Sequence, residues 1–549
     1  MANGYRSSTT GLQPSWMRWL LPSIADLFFV ALLAVLVFTN LSVRLLGDAG
    51  IGWHIRTGQL ILQTHSIPHV DPFSSSMSGQ PWFAWEWLYD VIVGWLASVA
   101  GLNGVVLLTA LLIATVFSFT FRMLLRRGCD VLTASVLVLL TASAAMIHFL
   151  ARPHVVSWLF TMVWFWILQS AENGRSGSEH KVSGPDTFSH RKLWLLPLTM
   201  LLWVNLHGGF LVGFVLLAIY WISAAWSWLR LRVARLEDAV EKIRAGHRVR
   251  TLTWTGILSV VATLLNPYGF HLQAHIYEYL SNHFLMNHID EFQSPNFHYV
   301  AQKCFAALLL LTLIALASKK SRVQASQLLV LLFAVYSGLY AARNIPVSSL
   351  LLVAIIAPWI SDEMARLTES RSNVIRSGSV RAKEFLARMK SIELGLRGHL
   401  WPVVTIVLTC WIAAHAGKLG SDTAMDAHFD AKRFPMAAVD YLETHDVRGG
   451  PLLSPDSWGG YLIYRFYPQE KVILDDRHDL YGEEFLKSYL KLLHAEPGWE
   501  EFLLQHPANC AIVPKDSALA NLFTGMPGWH KIYSDDVALA FVRDPVASR

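Results

Sequence analysis

Apolar runs of roughly membrane-crossing length recur along this 549-residue chain, and many of them end in clusters of Lys and Arg. A helix needs about 20 apolar residues to cross a bilayer, with about 17–25 tolerated. Hydrocarbon offers no water to a bare peptide group, so a spanning segment must satisfy its own backbone. Composition agrees with that reading: 53% of residues are hydrophobic and only 15% charged, against about 25% charged in ordinary soluble domains. The 22 Trp and 28 Phe suit bilayer interfaces and apolar packing.

The runs fall at residues 24–46, 104–121, 131–150, 155–170, 193–206, 209–229, 252–265, 305–318, 328–342, 347–360 and 400–416, about eleven expected transmembrane helices. One further apolar stretch, 85–100, is interrupted by Glu86 and Asp90. Lys and Arg concentrate on the cytoplasmic side of membrane proteins. If 85–100 lies along the interface as an amphipathic helix, every basic loop falls on one side. Those loops hold Arg122, Arg126 and Arg127; Arg175, Lys181, Arg191 and Lys192; the segment 230–250; Lys319, Lys320 and Arg322; and the segment 362–397. The N-terminus is then inside and the C-terminus outside. Arg6 and Arg18 precede the first run and no small-residue cleavage site follows it, so it reads as a retained span, not a removed signal.

Three units are expected: a cytoplasmic tail at 1–20, a membrane domain at 21–418 whose outer loop one covers 47–103, and an extracytoplasmic α/β domain at 419–549. In the last, short helices alternate with apolar strands at 451–454, 471–474 and 510–513 and a terminal hairpin, which suggests a mostly parallel sheet. Cys129, Cys304, Cys410 and Cys510 form no C-x-x-C pair, so neither a disulfide framework nor a zinc site is read. The basic residues are loop clusters and not a continuous patch, which argues against nucleic acid as a partner.

The outer ends of the spans carry the unusual polar motifs. These are Gly47-Asp48, Trp53-His54-Ile55-Arg56-Thr57-Gly58, Trp85-Glu86-Trp87, Arg152-Pro153-His154, Asn205-Leu206-His207-Gly208-Gly209, Asn266-Pro267-Tyr268-Gly269 and Arg343-Asn344. Ionisable groups at membrane depth are costly, and are usually functional or paired. Asn266-Pro267-Tyr268-Gly269 reads as a turn closing a span, and Asn205 to Gly209 as either a tight helix–helix turn or a site. Arg152 and Arg343 either snorkel or bind an anion; both adjoin helix breaks on the side where positive charge is disfavoured. Asp48 is either an ordinary helix-end residue or a functional carboxylate. Glu86 sits in an aromatic box, as a buried ion-pair member or as a reacting group.

A carboxylate at this level can act as a base or contact a divalent metal. Arg and His can hold a phosphate. Trp and Tyr can stack on a sugar, and an interfacial helix can admit a lipid tail. The set suits a donor made of lipid, phosphate and sugar. No G-x-G-x-x-G or G-x-x-x-x-G-K-[ST] motif is present to suggest ATP.

On Gly47-Asp48, the interfacial segment Pro81-Trp82-Phe83-Ala84-Trp85-Glu86-Trp87-Leu88 ending at Gly101-Leu102-Asn103-Gly104, and the span ending in Arg126-Arg127, the chain resembles membrane glycosyltransferases of the GT-C fold. These include protein O-mannosyltransferases, aminoarabinose transferases and oligosaccharyltransferases. The resemblance is clearest over residues 20–210. It implies a mostly helical polytopic protein of a bacterial inner membrane that moves a sugar from a polyprenyl-phosphate donor to an outer-face acceptor. It also implies membrane lipids and the lipid-linked donor as partners, and Asp48 as base or as contact for a divalent metal ion. Glu86 is the further catalytic candidate; His54, Arg56, Arg152, His154, Asn205, His207, Arg343 and Asn344 are the substrate-binding ones. The family often has two adjacent acids, whereas Ala49 follows Asp48 here, so a second carboxylate would come from Asp71, Glu86 or Asp90. Asp456-Ser457-Trp458-Gly459-Gly460-Tyr461 faintly resembles the oligosaccharyltransferase acceptor motif, and reads otherwise as a helix start with Asp456 as N-cap. A transporter or flippase for a lipid-linked or polysaccharide substrate, and a non-catalytic envelope assembly protein, are the alternative functions.

Overall fold

The computed structural model describes residues 16–173, 191–233, 239–319, 322–369, 373–447 and 450–544. Most of the tail expected at 1–20, together with Arg175, Lys181 and Lys320, lies outside them. Each of the eleven expected spans falls largely on helix, with 24–46 split between Ile24–Phe38 and Leu41–Leu45. Among the described residues seven helices are long and apolar enough to cross a membrane, or eight if the bent pair Glu384–Gly395 and Leu400–Ala414 is one span; Lys192–Leu206 and Ala325–Tyr340 are shorter apolar helices.

Local chemistry sets the helix starts. Ser23 and Asp26 cap each other at the start of Ile24–Phe38, and the Asp130 side chain accepts from the Thr133 amide at the start of Val131–Ala145. Within the bundle, Thr109, Thr115, Thr120 and Thr141 return their hydroxyls to carbonyls one turn back, which satisfies them where water is absent. Residues 350–357 of the helix Ile345–Glu369 are all fully buried, so this helix runs through the middle of the bundle.

Loop one is more structured than its sequence suggested. It contains the helix Gly50–Thr64, nearly all of whose first nine residues are buried. The expected interfacial helix is the first part of Trp87–Arg126, and Gly101 breaks that element at φ 59°, ψ −155°, a conformation open essentially to glycine alone. Two segments expected to be basic inner loops are partly helical, since Ala239–Thr263 begins inside one and Asn373–Gly395 lies inside the other.

The C-terminal part carries a four-stranded sheet in the order Leu452–Leu453, Cys510–Pro514, Ala538–Arg543, Trp529–Ser534. Only the first pair is parallel; the other two are antiparallel. The mostly parallel sheet expected from sequence is thus corrected to a mixed one. The terminal hairpin inserts its second strand beside Cys510–Pro514, and antiparallel pairing needs no crossover helix. Residues 471–474 make only isolated parallel bridges, from Val472 to Leu452 and to Ser74 of loop one. The Ser75 amide also donates to the Val472 carbonyl at 2.8 Å. Loop one and the C-terminal part are therefore woven together.

Candidate active site

The helix Gly50–Thr64 is clamped by backbone approach on two sides. A Cβ on Gly58 would meet the Asp90 carbonyl and Gly94, and one on Gly52 would meet the Gly460 carbonyl. Gly459 and Gly460 belong to the helix Asp456–Phe466, whose N-cap is Pro455 and not the expected Asp456. Asp456 instead bonds His478 Nε2 at 2.8 Å. Gly460 lets this helix lie on loop one at Ala49 and Gly50, and Gly459 lets it approach Leu474 and Asp475.

The first cluster is built on Arg152. Its Nη2 is 3.0 Å from Asp48 Oδ1 and also contacts Asp476 Oδ2. Trp53 Nε1 donates to the other Asp476 oxygen at 3.0 Å. Gly50 leaves room for the contact, since a Cβ there would overlap both Arg152 and Asp476. Asp48 Oδ1 also accepts the Gly50 amide at 2.8 Å, so the carboxylate helps fix the start of the helix. Asp48 Oδ2 bonds no described residue, and 27% of the side chain is exposed. Arg152 Nε is buried and donates to no described residue. Burial works against the Arg152 charge, but Asp48 and Asp476 outweigh it and raise its pKa. Burial pushes Asp476 up to about 6 despite Arg152.

The second cluster is a chain of buried groups. His54 Nδ1 is hydrogen-bonded to Asp90 Oδ1 at 2.6 Å. His54 Nε2 then faces Glu86 Oε2 at 3.7 Å, and His207 Nε2 faces Glu86 Oε1 at 3.6 Å. Both gaps exceed hydrogen-bond length. The His207 tautomer follows from its other nitrogen. Trp203 Nε1 donates to Ser157 Oγ at 2.7 Å, so the Ser157 hydroxyl is free to donate to His207 Nδ1, also at 2.7 Å. The Gly209 amide donates to the same nitrogen at 3.0 Å. Nδ1 is an acceptor, and the ring hydrogen of neutral His207 sits on Nε2, aimed at Glu86. Burial pushes Glu86 up to about 8, against the pull of Arg152 and Arg343. Burial and nearby cations hold His54 well below its usual value. Both partners therefore favour their uncharged forms near neutrality, and the contact is not an ion pair.

Arg343 pairs with Glu291 at 3.1 Å and lies over the Phe292 ring. Burial would raise Glu291, but Arg343 and Arg152 outweigh it and hold it down at about 2. Arg152, Arg343 and Glu291 all act on both Glu86 and His207, so the two clusters share one electrostatic neighbourhood.

Of the sequence-derived candidates, the structure brings together Asp48 with Arg152, and His54 with Glu86 and His207. His154 lies beside them and bonds the His148 carbonyl at 2.9 Å. Asn205 takes a packing position, accepting from Trp87 Nε1 at 2.8 Å and donating to the Leu201 and Leu265 carbonyls. Arg56 turns to the Tyr464 carbonyl and to Gln59. Asn344 donates to the Ser337 carbonyl at 3.2 Å. The carboxylate that joins Asp48 on Arg152 is Asp476, and not Asp71, Glu86 or Asp90. Asp71 is engaged by buried Arg477 at 2.8 Å and by Ser74. Among the described residues no group of three or more His, Cys, Asp or Glu is placed to hold a metal ion. Between the two carboxylates at Asp48 lies a guanidinium, so these residues do not fit a metal centre.

No family model and no curated protein match this sequence. Solved structures match it over nearly its whole length. The Archaeoglobus fulgidus oligosaccharyltransferase, tethered to an acceptor peptide containing the NVT sequon, is 13% identical with a TM-score of 0.53, covering 95% of this chain and 73% of that one. ArnT from Cupriavidus metallidurans bound to undecaprenyl phosphate is 14% identical with a TM-score of 0.49, covering 95% and 98%. The same protein in the apo state is 12% identical with a TM-score of 0.48, covering 94% and 97%. At such identities a match speaks for architecture alone. The chain is an integral membrane protein with the GT-C fold.

Proposed function

We propose that this protein is a membrane glycosyltransferase that moves a sugar from a polyprenyl-phosphate donor to an acceptor on the outer face of a bacterial inner membrane. The observation that carries this reading is the Asp48–Arg152 pair at the start of a loop-one helix in a GT-C frame. One carboxylate oxygen is without a protein partner there, and one buried guanidinium N–H is unspent.

The step needs a base and an anion clamp. Asp48 Oδ2 takes the proton from the acceptor hydroxyl as that oxygen attacks the anomeric carbon. The bond from that carbon to the phosphate oxygen breaks, and its electron pair leaves with the phosphate. Arg152, through Nε, and Arg343 stabilise the charge that gathers there. His54, Glu86 and His207 line the site beside the reacting groups and offer hydroxyl-sized hydrogen-bond partners. The C-terminal α/β unit lies on the acceptor side, outside the membrane.

Asp48→Asn preserves the size of the side chain and its acceptor oxygen toward the Gly50 amide, but removes the base. The expected result is normal insertion and folding, with release of polyprenyl phosphate from a labelled polyprenyl-phosphate sugar reduced at least about 100-fold, within the range attributed to general base catalysis. Full turnover in that variant would remove Asp48 from the reaction.

A further inference from the structure

The segment Asp475-Asp476-Arg477-His478-Asp479 has five consecutive charged or titratable residues, and all five are paired. Asp475 and Asp71 hold Arg477. His478 holds Asp456, and Asp479 holds His275 at 3.0 Å. The Arg477 guanidinium is packed among Trp53, Phe73 and Trp82. Of these, the Arg477 contacts with Asp71, Trp53, Phe73 and Trp82 join the C-terminal part to loop one. Asp476 is different. It reaches Arg152, which carries the unspent Nε donor beside Asp48.

Arg477 also carries two carboxylates, but it is enclosed by them and by aromatic rings, whereas Arg152 keeps a buried N–H at Nε without a described partner. A single carboxylate would neutralise Arg152, and burying a second negative charge beside the first is costly. The excess charge has a consequence for phosphate. A sugar linked to a polyprenyl phosphate is a phosphodiester with one negative charge. Once the sugar has left, the carrier is a phosphomonoester, with a second ionisation near pH 6 and close to two negative charges at neutral pH. An uncontested Arg152 would therefore hold the spent carrier more tightly than the donor.

Resting on the glycosyltransferase reading above, we propose that Asp476 is a positioning residue that competes with phosphate for Arg152 and so limits how tightly the site holds the spent carrier. Trp53 keeps the Asp476 carboxylate aimed at the guanidinium, and Gly50 keeps the space between them open. When the carrier phosphate leaves, Arg152 returns to Asp476 and Asp48. The C-terminal part thereby contributes to carrier exchange at the membrane site.

The test is equilibrium binding of undecaprenyl phosphate to the full chain in nanodiscs. Wild type, Asp476→Asn and Asp476→Glu are compared, with thermal unfolding as the control for folding. Asp476→Asn is expected to bind about tenfold more tightly than wild type, and Asp476→Glu, which keeps the charge, within about twofold of wild type. A purely structural Asp476 would give unchanged or weaker binding in Asp476→Asn, and that result overturns the proposal. If Asp476→Asn does not fold, Asp476→Gln takes its place: binding about tenfold tighter than wild type supports competition by charge, and unchanged or weaker binding overturns it. Absence of undecaprenyl phosphate binding to the wild type would instead overturn the glycosyltransferase reading on which the proposal rests.

Discussion

Glu86 is the residue whose protonation most clearly reports on this site. It stands between two imidazoles without a direct hydrogen bond to either, 92% shielded from solvent given its 8% exposure. Burial raises its pKa to about 8 from an ordinary 4.5, against Arg152 and Arg343. The folded state then keeps a proton that the unfolded state loses between pH 4.5 and pH 8. Stability from this group must fall as pH rises through that window, and level off above it. Glu86→Gln copies the protonated form in both states. Its thermal midpoint in detergent is expected to lose this part of the decline between pH 5 and pH 8, crossing from below or equal to wild type to above it. Parallel pH curves for the two proteins would mean that Glu86 is ionised in the fold. Glu86, His54, His207 and Arg152 were all legible in the sequence, because isolated polar residues among Gly and Pro at the ends of apolar runs stand out. Asp476 and Glu291 were not. Each acquires its role from a partner far along the chain, and no periodicity or motif marks such a pairing.

At the scale of elements, the helix Gly50–Thr64 matters most. Its sequence, with Gly50, Gly52, Gly58 and interspersed polar residues, reads as a punctuated loop. The glycines serve close packing instead: Gly58 lies against the Asp90 carbonyl, and Gly52 against Gly460. Gly58→Ala puts a methyl group where backbone atoms already are, with no flexible side chain to yield. Overpacking of this kind costs about 1–3 kcal/mol. The expected outcome is a lower thermal midpoint together with loss of turnover, because His54 and Asp90 are carried by the two helices forced apart. An unchanged midpoint would show that the two backbones are not in contact. The long apolar helices were readable because burial in lipid demands long apolar runs, and most of each expected run is helical. The sheet was not. Short apolar strands carry no record of direction, and the parallel reading of the C-terminal part gave way to a mixed sheet.

At the scale of the molecule, the C-terminal part is joined to loop one by buried charge and not by a flexible tether. Arg477 lies between Asp71 and Asp475, all three nearly free of solvent exposure. Breaking such a network by removing one partner typically costs about 3–5 kcal/mol, because the remaining charge is buried alone. Sequence divided the chain at about residue 418 and placed loop one with the membrane helices; the pairing of Ser75 with Val472 crosses that division. The site therefore draws on both parts: Asp48, Arg152 and Arg343 from the bundle and its loops, and Asp476 from the C-terminal part. The most direct test is an experimental structure in lipid nanodiscs with a non-transferable phosphonate analogue of a polyprenyl-phosphate sugar. The phosphonate is expected within hydrogen-bond distance of Arg152 Nε and near Arg343, with the anomeric carbon facing Asp48. A phosphonate bound away from Arg152, with the Asp48–Arg152–Asp476 cluster undisturbed, would contradict that expectation.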